Sequence, residues 1–576
     1  MTTQTTAAAT TLAALTALAA TTAAFATSSD NPKSPIQNPK SPRPNIVFIL
    51  SDDHSTSTIS AYGEERHLVD TPQLDRIAKE GMRFDRCLVT NAICGPARAT
   101  IITGKYSHIN GFMNNTNSRF DGSQTTFPKL LQAAGYQTAI IGKWHLQTDP
   151  TGFDTWKILP GQGQYYNPTM IFNGKRLTVP GYVTDIIADL TLDWLKKRDT
   201  TRPFLIMMHN KAPHRHWEPP LRYLDADHDR VYPEPPTLMD DYTGRGPAEH
   251  ENDMNIRHTM TDEDTKLSKS KPGKGGDKGG RLTPAQQAEW DKYYDPRNAA
   301  FRAANLKGDD LVRWKYQRYM HDYTATIRGI DENVGRVLDY LDKNGLSDNT
   351  IVIYNSDQGF YLGEHNWFDK RWIFEESLRT PFMVRWPGVI KPGTVNKDIV
   401  SNLDFASTLL EAAGVPVPAE IQGRSLLPLF RGATPPDWRK TFYYEYYEYP
   451  APHHVMPHEG VVTDRYKFVH FIVPGREYYE LFDLQTDPHE LTSVYGKSDY
   501  KTVQKDLADE LARLKTEYKV PATIPPHFFG NKNIDTTKPS TGGKPGKTGK
   551  GGKKGKNKSG AGDSDTGDTA GSGETD

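Results

Sequence analysis

Cysteine is nearly missing from this chain: there are two in 576 residues. That excludes a disulfide scaffold, a multi-cysteine zinc module and an iron–sulfur protein, and leaves one disulfide, one thiol ligand or one reactive thiol. An excess of either charge is missing too. Lys and Arg number 70 against 71 Asp and Glu, for a formal net charge of -1, so there is no global electrostatic case for nucleic-acid binding. A mean hydropathy of -0.67 excludes a polytopic membrane protein. What is present is 36% hydrophobic and 10% aromatic residues, enough for a large core in about two to four domains' worth of chain.

Both ends read as lying outside the fold. Residues 6–26 are almost all Ala and Thr with three Leu and one Phe, which is weak hydrophobicity for a membrane span. They read as an export signal over residues 1–26, with a small-residue cleavage site near Ala24-Phe25-Ala26 but no positively charged start. Residues 27–43 form a Ser, Pro and Asn-rich linker. Residues 533–576 are a lysine block followed by an acidic block, a composition that buries too little apolar surface to order itself. The expectation is therefore a secreted or periplasmic protein with a solvated tail.

Between the ends, strand and helix patterns alternate. Residues 45–50, Asn-Ile-Val-Phe-Ile-Leu, form a short apolar run of the kind buried on both sheet faces. Thr71 followed by Pro72 opens a helix that stops at Gly81. Helices are predicted over 127–134, 184–197 and 316–344, and strands over 137–141, 204–208 and 350–354. Such alternation predicts a mostly parallel sheet covered by helices, an α/β fold. A polar stretch over about 233–308 reads as a surface excursion. From 438 to 525 the composition turns to aromatic short strands (442–449, 466–471, 478–482) and a closing helix (503–518), a smaller C-terminal α+β subdomain after a main domain over 44–437.

Ligands in open α/β sheets sit beyond the carboxyl ends of the strands. There this chain places Asp52 and Asp53, then Lys143 and His145, then His209 and His214, then Asp357 and Gln358. Any one of these alone reads equally as a turn, a cap or a hydrogen-bonded core residue. Together they form an oxygen-rich site suited to Ca²⁺ or Mg²⁺ rather than zinc. The surrounding Lys and His suit an anionic substrate.

Cys94 stands two residues before Pro96, with Arg98 on the following turn. A thiol there is expected to be activated by the helix N-terminus and by Arg98, unless it is simply a small buried hydrophobe. Cys87, in an apolar segment, reads as a buried hydrophobe rather than a redox partner.

Cys94-x-Pro96-x-Arg98 followed by Thr103-Gly104 resembles the signature of the type I, formylglycine-dependent sulfatases. The resemblance extends in order through Asp52-Asp53, Lys143-x-His145, Pro213-His214, Asp357-Gln358-Gly359 and Phe368-Asp369-Lys370-Arg371, covering about residues 44 to 520. Gln358 stands where many members carry Asn or His, and still offers an amide oxygen.

The resemblance implies an alkaline-phosphatase-like fold, with Cys94 oxidised to formylglycine (3-oxoalanine) by a formylglycine-generating enzyme. It implies one Ca²⁺ per chain held by Asp52, Asp53, Cys94, Asp357 and Gln358. The hydrated aldehyde would attack sulfur, with Arg98, Lys143 and Lys370 stabilising the diol and the sulfate oxygens. His214 would act as general acid and His145 as the base that expels sulfate.

Stretches 60–63, 104–111, 211–215, 357–365 and 374–377 are similar to bacterial glycan sulfatases of the N-acetylglucosamine-6-sulfatase branch. That resemblance implies a sulfated oligo- or polysaccharide as substrate. His365, His454 and His458, with His453 beside them, are candidates to line the sugar pocket, although loop histidines are commonly just solvated. Two alternatives stay open here: a phosphodiesterase or phosphonate hydrolase of the same superfamily, and a non-catalytic glycan-binding protein with an unmodified Cys94.

Overall fold

The computed structural model describes residues 43–268 and 281–523. The export signal, nearly all of the linker and the low-complexity tail lie outside the described residues. Among the described residues no helix is long and apolar enough to cross a membrane.

An eleven-stranded sheet organises the molecule. Its strands are β1 (Asn45–Ser51), β2 (Met82–Leu88), β3 (Gln137–Lys143), β4 (Thr155–Leu159), β5 (Thr169–Phe172), β6 (Lys175–Thr178), β7 (Phe204–His209) and β8 (Thr350–Ser356). After a two-residue hairpin of β9 (Tyr361–Leu362) and β10 (Phe368–Asp369), it takes in β11 (Arg379–Arg385), β12 (Thr394–Asn396) and β13 (Val400–Ser401). The spatial order is β12-β2-β11-β8-β1-β7-β3-β4-β5-β6, with β13 also on β2. From β8 to β4 all pairings are parallel, whereas β11 runs antiparallel between β8 and β2.

The continuous apolar run of β1 follows from its place in the middle of this sheet. Ile46, Phe48 and Leu50 join the core on one face, under the helices Cys94–Thr103, Phe127–Ala133 and Asp404–Ala412. Val47 and Ile49 join the other, under Pro72–Lys79, Val183–Lys197 and Gly308–Lys343. With both faces covered there is no polar alternation to keep.

The small sheet, β14 (Phe442–Tyr446), β15 (His458–Val462), β16 (Tyr466–Phe471) and β17 (Tyr478–Asp483), is antiparallel throughout. One of its faces packs on Trp367, Trp372 and Phe374, the other on Leu507, Leu511 and Leu514 of the helix Lys501–Glu517.

Two expectations are corrected. The described residues of 233–308 are no surface excursion. They bury Leu238, Met254, Ile256 and Met260 against Tyr316, Tyr319 and Tyr323, and fold into helices Pro247–Glu251 and Pro284–Ala304. The apolar residues are single anchors among Lys, Gly and Asp, so no periodicity betrays them. Thr283 and Gln286 do form a capping box, a start signal readable in the sequence. The long helix begins at Gly308, not at residue 316, with Asp309 and Asp310 in its first turn, where negative charge suits the helix dipole.

Candidate active site

The parallel strands deliver their carboxyl ends to one edge. β1 runs into Asp52 and Asp53, and Asp53 turns with φ 68°, a left-handed turn that Asp tolerates better than most residues. β8 pairs with β1 through Ser51 and Ser356, which sets Asp357 and Gln358 beside the two aspartates. β3 ends on Lys143. The preceding Gly142 has φ 111°, and a Cβ there would lie 1.8 Å from the His209 carbonyl oxygen of β7, so only glycine lets the two strand ends close so tightly.

The three carboxylates are each held by a cation. Asp52 accepts from Lys143, which also donates to Gln162. Asp53 Oδ2 accepts from Lys370 Nζ at 3.0 Å. Asp357 Oδ2 takes Arg98 Nε at 2.9 Å, while its Oδ1 accepts the backbone N–H groups of Asp53 and Gln358, both at 3.2 Å. Cys94 opens a fully buried helix, Cys94–Thr103, and its Sγ stands 3.3 Å from Asp52 Oδ1. His214 Nε2 lies 3.7 Å from Asp53 Oδ2, with Nδ1 on the Arg215 carbonyl at 2.7 Å.

Oxygens of Asp52, Asp53 and Asp357 lie within 4.8 Å of one another, and so do ligand atoms of Asp52, Cys94 and His214. Gln358 gives its amide nitrogen to Asp53, and its buried Oε1 has no hydrogen-bond partner. An orphaned amide oxygen beside three carboxylates fits a hard divalent cation.

Burial and charge divide the acids. Burial works against ionisation of Asp52, but Lys143 first, then His214, Arg98 and Lys370, hold it well below the usual carboxylate range. At Asp53 burial outweighs Lys370 and, with Asp52 and Asp357 nearby, leaves the carboxyl well above that range. Burial and Asp52 push Asp357 up to about 6. Burial, with Lys143 adding to it, keeps His214 well below the ordinary histidine value.

The thiol is a correction. Burial, then the Asp52 carboxylate, push the Cys94 pKa well above its ordinary value. The helix terminus and Arg98 do not activate it, because Arg98 is spent on Asp357 and on the Lys143 carbonyl at 2.9 Å. Cys87 is buried in the main core.

The structure brings together Asp52, Asp53, Cys94, Arg98, Lys143, His214, Asp357, Gln358 and Lys370. His145 is buried just past Lys143, with φ 56°. His365, His454 and His458 bond to groups outside this cluster. His365 is fully buried, its Nδ1 between Asp240 Oδ2 at 2.9 Å and Arg245 Nη1 at 3.0 Å. His454 is half-buried on Asp253, its pKa raised chiefly by that hydrogen bond. His458 is a core residue of the small sheet. Nδ1 bonds the Met456 carbonyl at 2.7 Å and Nε2 accepts the Ile373 N–H at 3.1 Å, so both ring nitrogens are spent on backbone. His453 Nε2 lies 2.9 Å from Asp369 Oδ2, beside Lys370.

Two residues at the cluster were not anticipated. Gln162, on Lys143, follows β4, so the strand-end rule reaches it once residues 155–159 are read as a strand. Tyr323, whose hydroxyl donates to the Asp53 carbonyl at 2.6 Å, comes from mid-helix and carries no such signal.

Residues 44–415 match the family model described as Sulfatase, and residues 363–517 the one described as N-sulphoglucosamine sulphohydrolase, C-terminal. An N-acetylglucosamine-6-O-sulfatase of Bacteroides thetaiotaomicron is 49% identical over 84% of this chain and 88% of its own. The human N-acetylglucosamine-6-sulfatase is 29% identical over 70% and 67%. A protein solved in complex with its substrate D-glucosamine-2-N,6-O-disulfate aligns with TM-score 0.81 and 48% identity, over 84% of this chain and 99% of that one.

Proposed function

The chain belongs to the sulfatase family, with its alkaline-phosphatase-like fold and its sulfuric ester hydrolase activity, and from that premise we propose that it removes the 6-O-sulfate of a glucosamine unit in a sulfated glycan. Support comes from the relative 49% identical along most of both chains, an N-acetylglucosamine-6-O-sulfatase. The observation that carries the chemistry is the placement of Cys94 Sγ 3.3 Å from Asp52 within the ring of carboxylates and cations.

Asp52, Asp53, Asp357 and Gln358, with residue 94, would hold a calcium ion. With a formylglycine made from Cys94, such an ion would supply the acidity that lets a hydroxyl of the hydrated aldehyde lose its proton and act as nucleophile toward sulfur. An unmodified thiol, pushed up by burial, is poorly suited to the task. Arg98 fixes the Asp357 carboxylate, and Lys143 and Lys370 bridge the carboxylates to the space where the sulfate oxygens gather charge. Once a bound divalent ion has ionised Asp53 and Asp357, the three carboxylates and these three cations would cancel, leaving the charge of the ion to face the sulfate ester. His214, neutral at rest with its one N–H on the Arg215 carbonyl, would first take a proton from solvent on Nε2 and then pass it to the leaving sugar oxygen, and His145 would take the second proton that allows sulfate to depart. His365 and His454 are candidates for contact with the sugar. Maturation would need a formylglycine-generating enzyme, and the Ala/Thr-rich start fits export to the periplasm or beyond.

The test is intact-peptide mass spectrometry across Cys94, paired with a desulfation screen on defined sulfated mono- and disaccharides. Formylglycine at position 94 and preferential release of 6-O-sulfate are expected. A free thiol in protein from the native host, or dominant turnover of phosphodiesters, would overturn the reading.

A further inference from the structure

Away from the strand ends, the helices Pro284–Ala304 and Gly308–Lys343 border a cavity of about 410 Å³, within the range of small-ligand sites. Tyr293, Phe301 and Trp314 form its apolar wall; Arg297, Arg318 and His321 give it polar groups. Phe301 and Trp314 are stacked on each other, 28° from parallel with ring centroids 3.8 Å apart, so their facing surfaces are spent and the stack offers the C–H face of a pyranose an outward ring face and its rim.

Arg318 tells what the cavity takes. It is 8% exposed, and its guanidinium lies 5.2 Å from the ring centres of both Tyr294 and Trp314. Its hydrogen-bond acceptor is the neutral Asn298 Oδ1 at 3.1 Å, and Nη1 has none. Asp322, about one turn along the same helix, holds Tyr294 and Lys266, and Asp225 holds Arg297. Among the described residues no carboxylate pairs with Arg318. An arginine cannot shed its charge, and a buried charge without a counter-ion is costly.

We propose that this cavity is an accessory saccharide site that takes an anionic pyranose, its sulfate or carboxylate against the Arg318 guanidinium and its ring along the edge of the Phe301–Trp314 stack. The choice of a saccharide rests on the desulfation reading above; the need for an anion does not. The two sites share a helix, because Tyr323, one turn and a half beyond Arg318, backs the Asp53 carbonyl. A polymer held in the cavity would raise the local concentration of its other units at the catalytic edge.

The test is calorimetric titration of the full chain, carrying Cys94→Ala to stop turnover, with D-glucosamine-2-N,6-O-disulfate, D-glucuronic acid and N-acetylglucosamine. Two sites are expected for the disulfate, and one of them also takes glucuronic acid but not the neutral sugar. Arg318→Gln should weaken that site by about tenfold or more, the loss of one charge-assisted hydrogen bond, and Trp314→Ala should weaken it without lowering the melting temperature much. One site only, equal binding of the neutral sugar, or a second site indifferent to both substitutions overturns the proposal. Arg318-dependent binding in a chain whose Cys94-intact form desulfates nothing would sink the catalytic reading and leave this one standing.

Discussion

Asp53 and Gln358 meet where β1 and β8 end side by side: the Gln358 amide nitrogen donates to Asp53 Oδ1, and its buried amide oxygen accepts nothing. Turned this way, the amide presents an oxygen to a cation while tying down a neighbouring ligand. Gln358→Leu is therefore expected to lower metal content and to cut kcat by about 10- to 100-fold at limiting calcium, with partial recovery as calcium is raised. Metal analysis beside kinetics checks it. Activity that survives exhaustive chelation in the unaltered chain would remove the metal from the account.

His214, with Nδ1 donating to a backbone carbonyl and Nε2 facing the acids, is placed to carry a proton on Nε2 to the leaving oxygen. His214→Ala should slow release from a sugar sulfate by about 10²- to 10⁴-fold. The loss should be much smaller with 4-nitrophenyl sulfate, whose phenolate departs unprotonated. An equal loss on both substrates would assign His214 to binding rather than to proton transfer.

Asp331 accepts the backbone N–H groups of Gln73 and Leu74 at 3.0 and 2.8 Å, tying two helices together. Burial pushes its carboxyl up to about 7, whereas an unfolded Asp titrates near about 3.9. The folded chain thus holds this proton more tightly. That stabilisation is complete below the unfolded value and is lost as the pH rises through about 7. Asp331→Asn keeps an acceptor for both N–H groups and should stabilise the protein by about 2–4 kcal/mol at pH 8.5 and by about a third of that at pH 5. Melting curves at the two pH values check it; a pH-independent difference would contradict the assignment.

His458, expected from the sequence to face a sugar, is wedged among Tyr444, Tyr446, Trp372 and Phe471. His458→Phe leaves the Ile373 N–H and the Met456 carbonyl unsatisfied, at about 1–3 kcal/mol for each group. A lower melting temperature with unchanged KM is the expected result. A raised KM in a protein of normal stability would restore it to the sugar pocket.

The parallel sheet was legible because apolar runs and helix starts alternate, and the site was legible because strand ends in such a sheet converge. That rule alone gathers Asp52, Asp53, Lys143, His214, Asp357 and Gln358. Cys94 needed its motif, since its side chain reaches the cluster from a helix on one face of the sheet. β15 stayed hidden because His-Glu-Gly at its start breaks the strand pattern, and with it the burial of His458. Whether a histidine is free depends on partners such as Ile373, 85 positions away, which no local spacing reveals. The anchors of residues 233–308 were invisible for a related reason: each is one apolar residue meeting a helix far along the chain.

Residue 94 has no exposed surface, and every residue of its helix is buried with it. An enzyme that oxidises this side chain therefore meets it only before the helix has closed onto the sheet. On the proposed maturation, the yield of working protein would be a race between folding and modification, decided once per molecule. Faster folding would lower that yield, and a chain that folds first as the thiol would stay inert until unfolded again in the presence of the modifying enzyme.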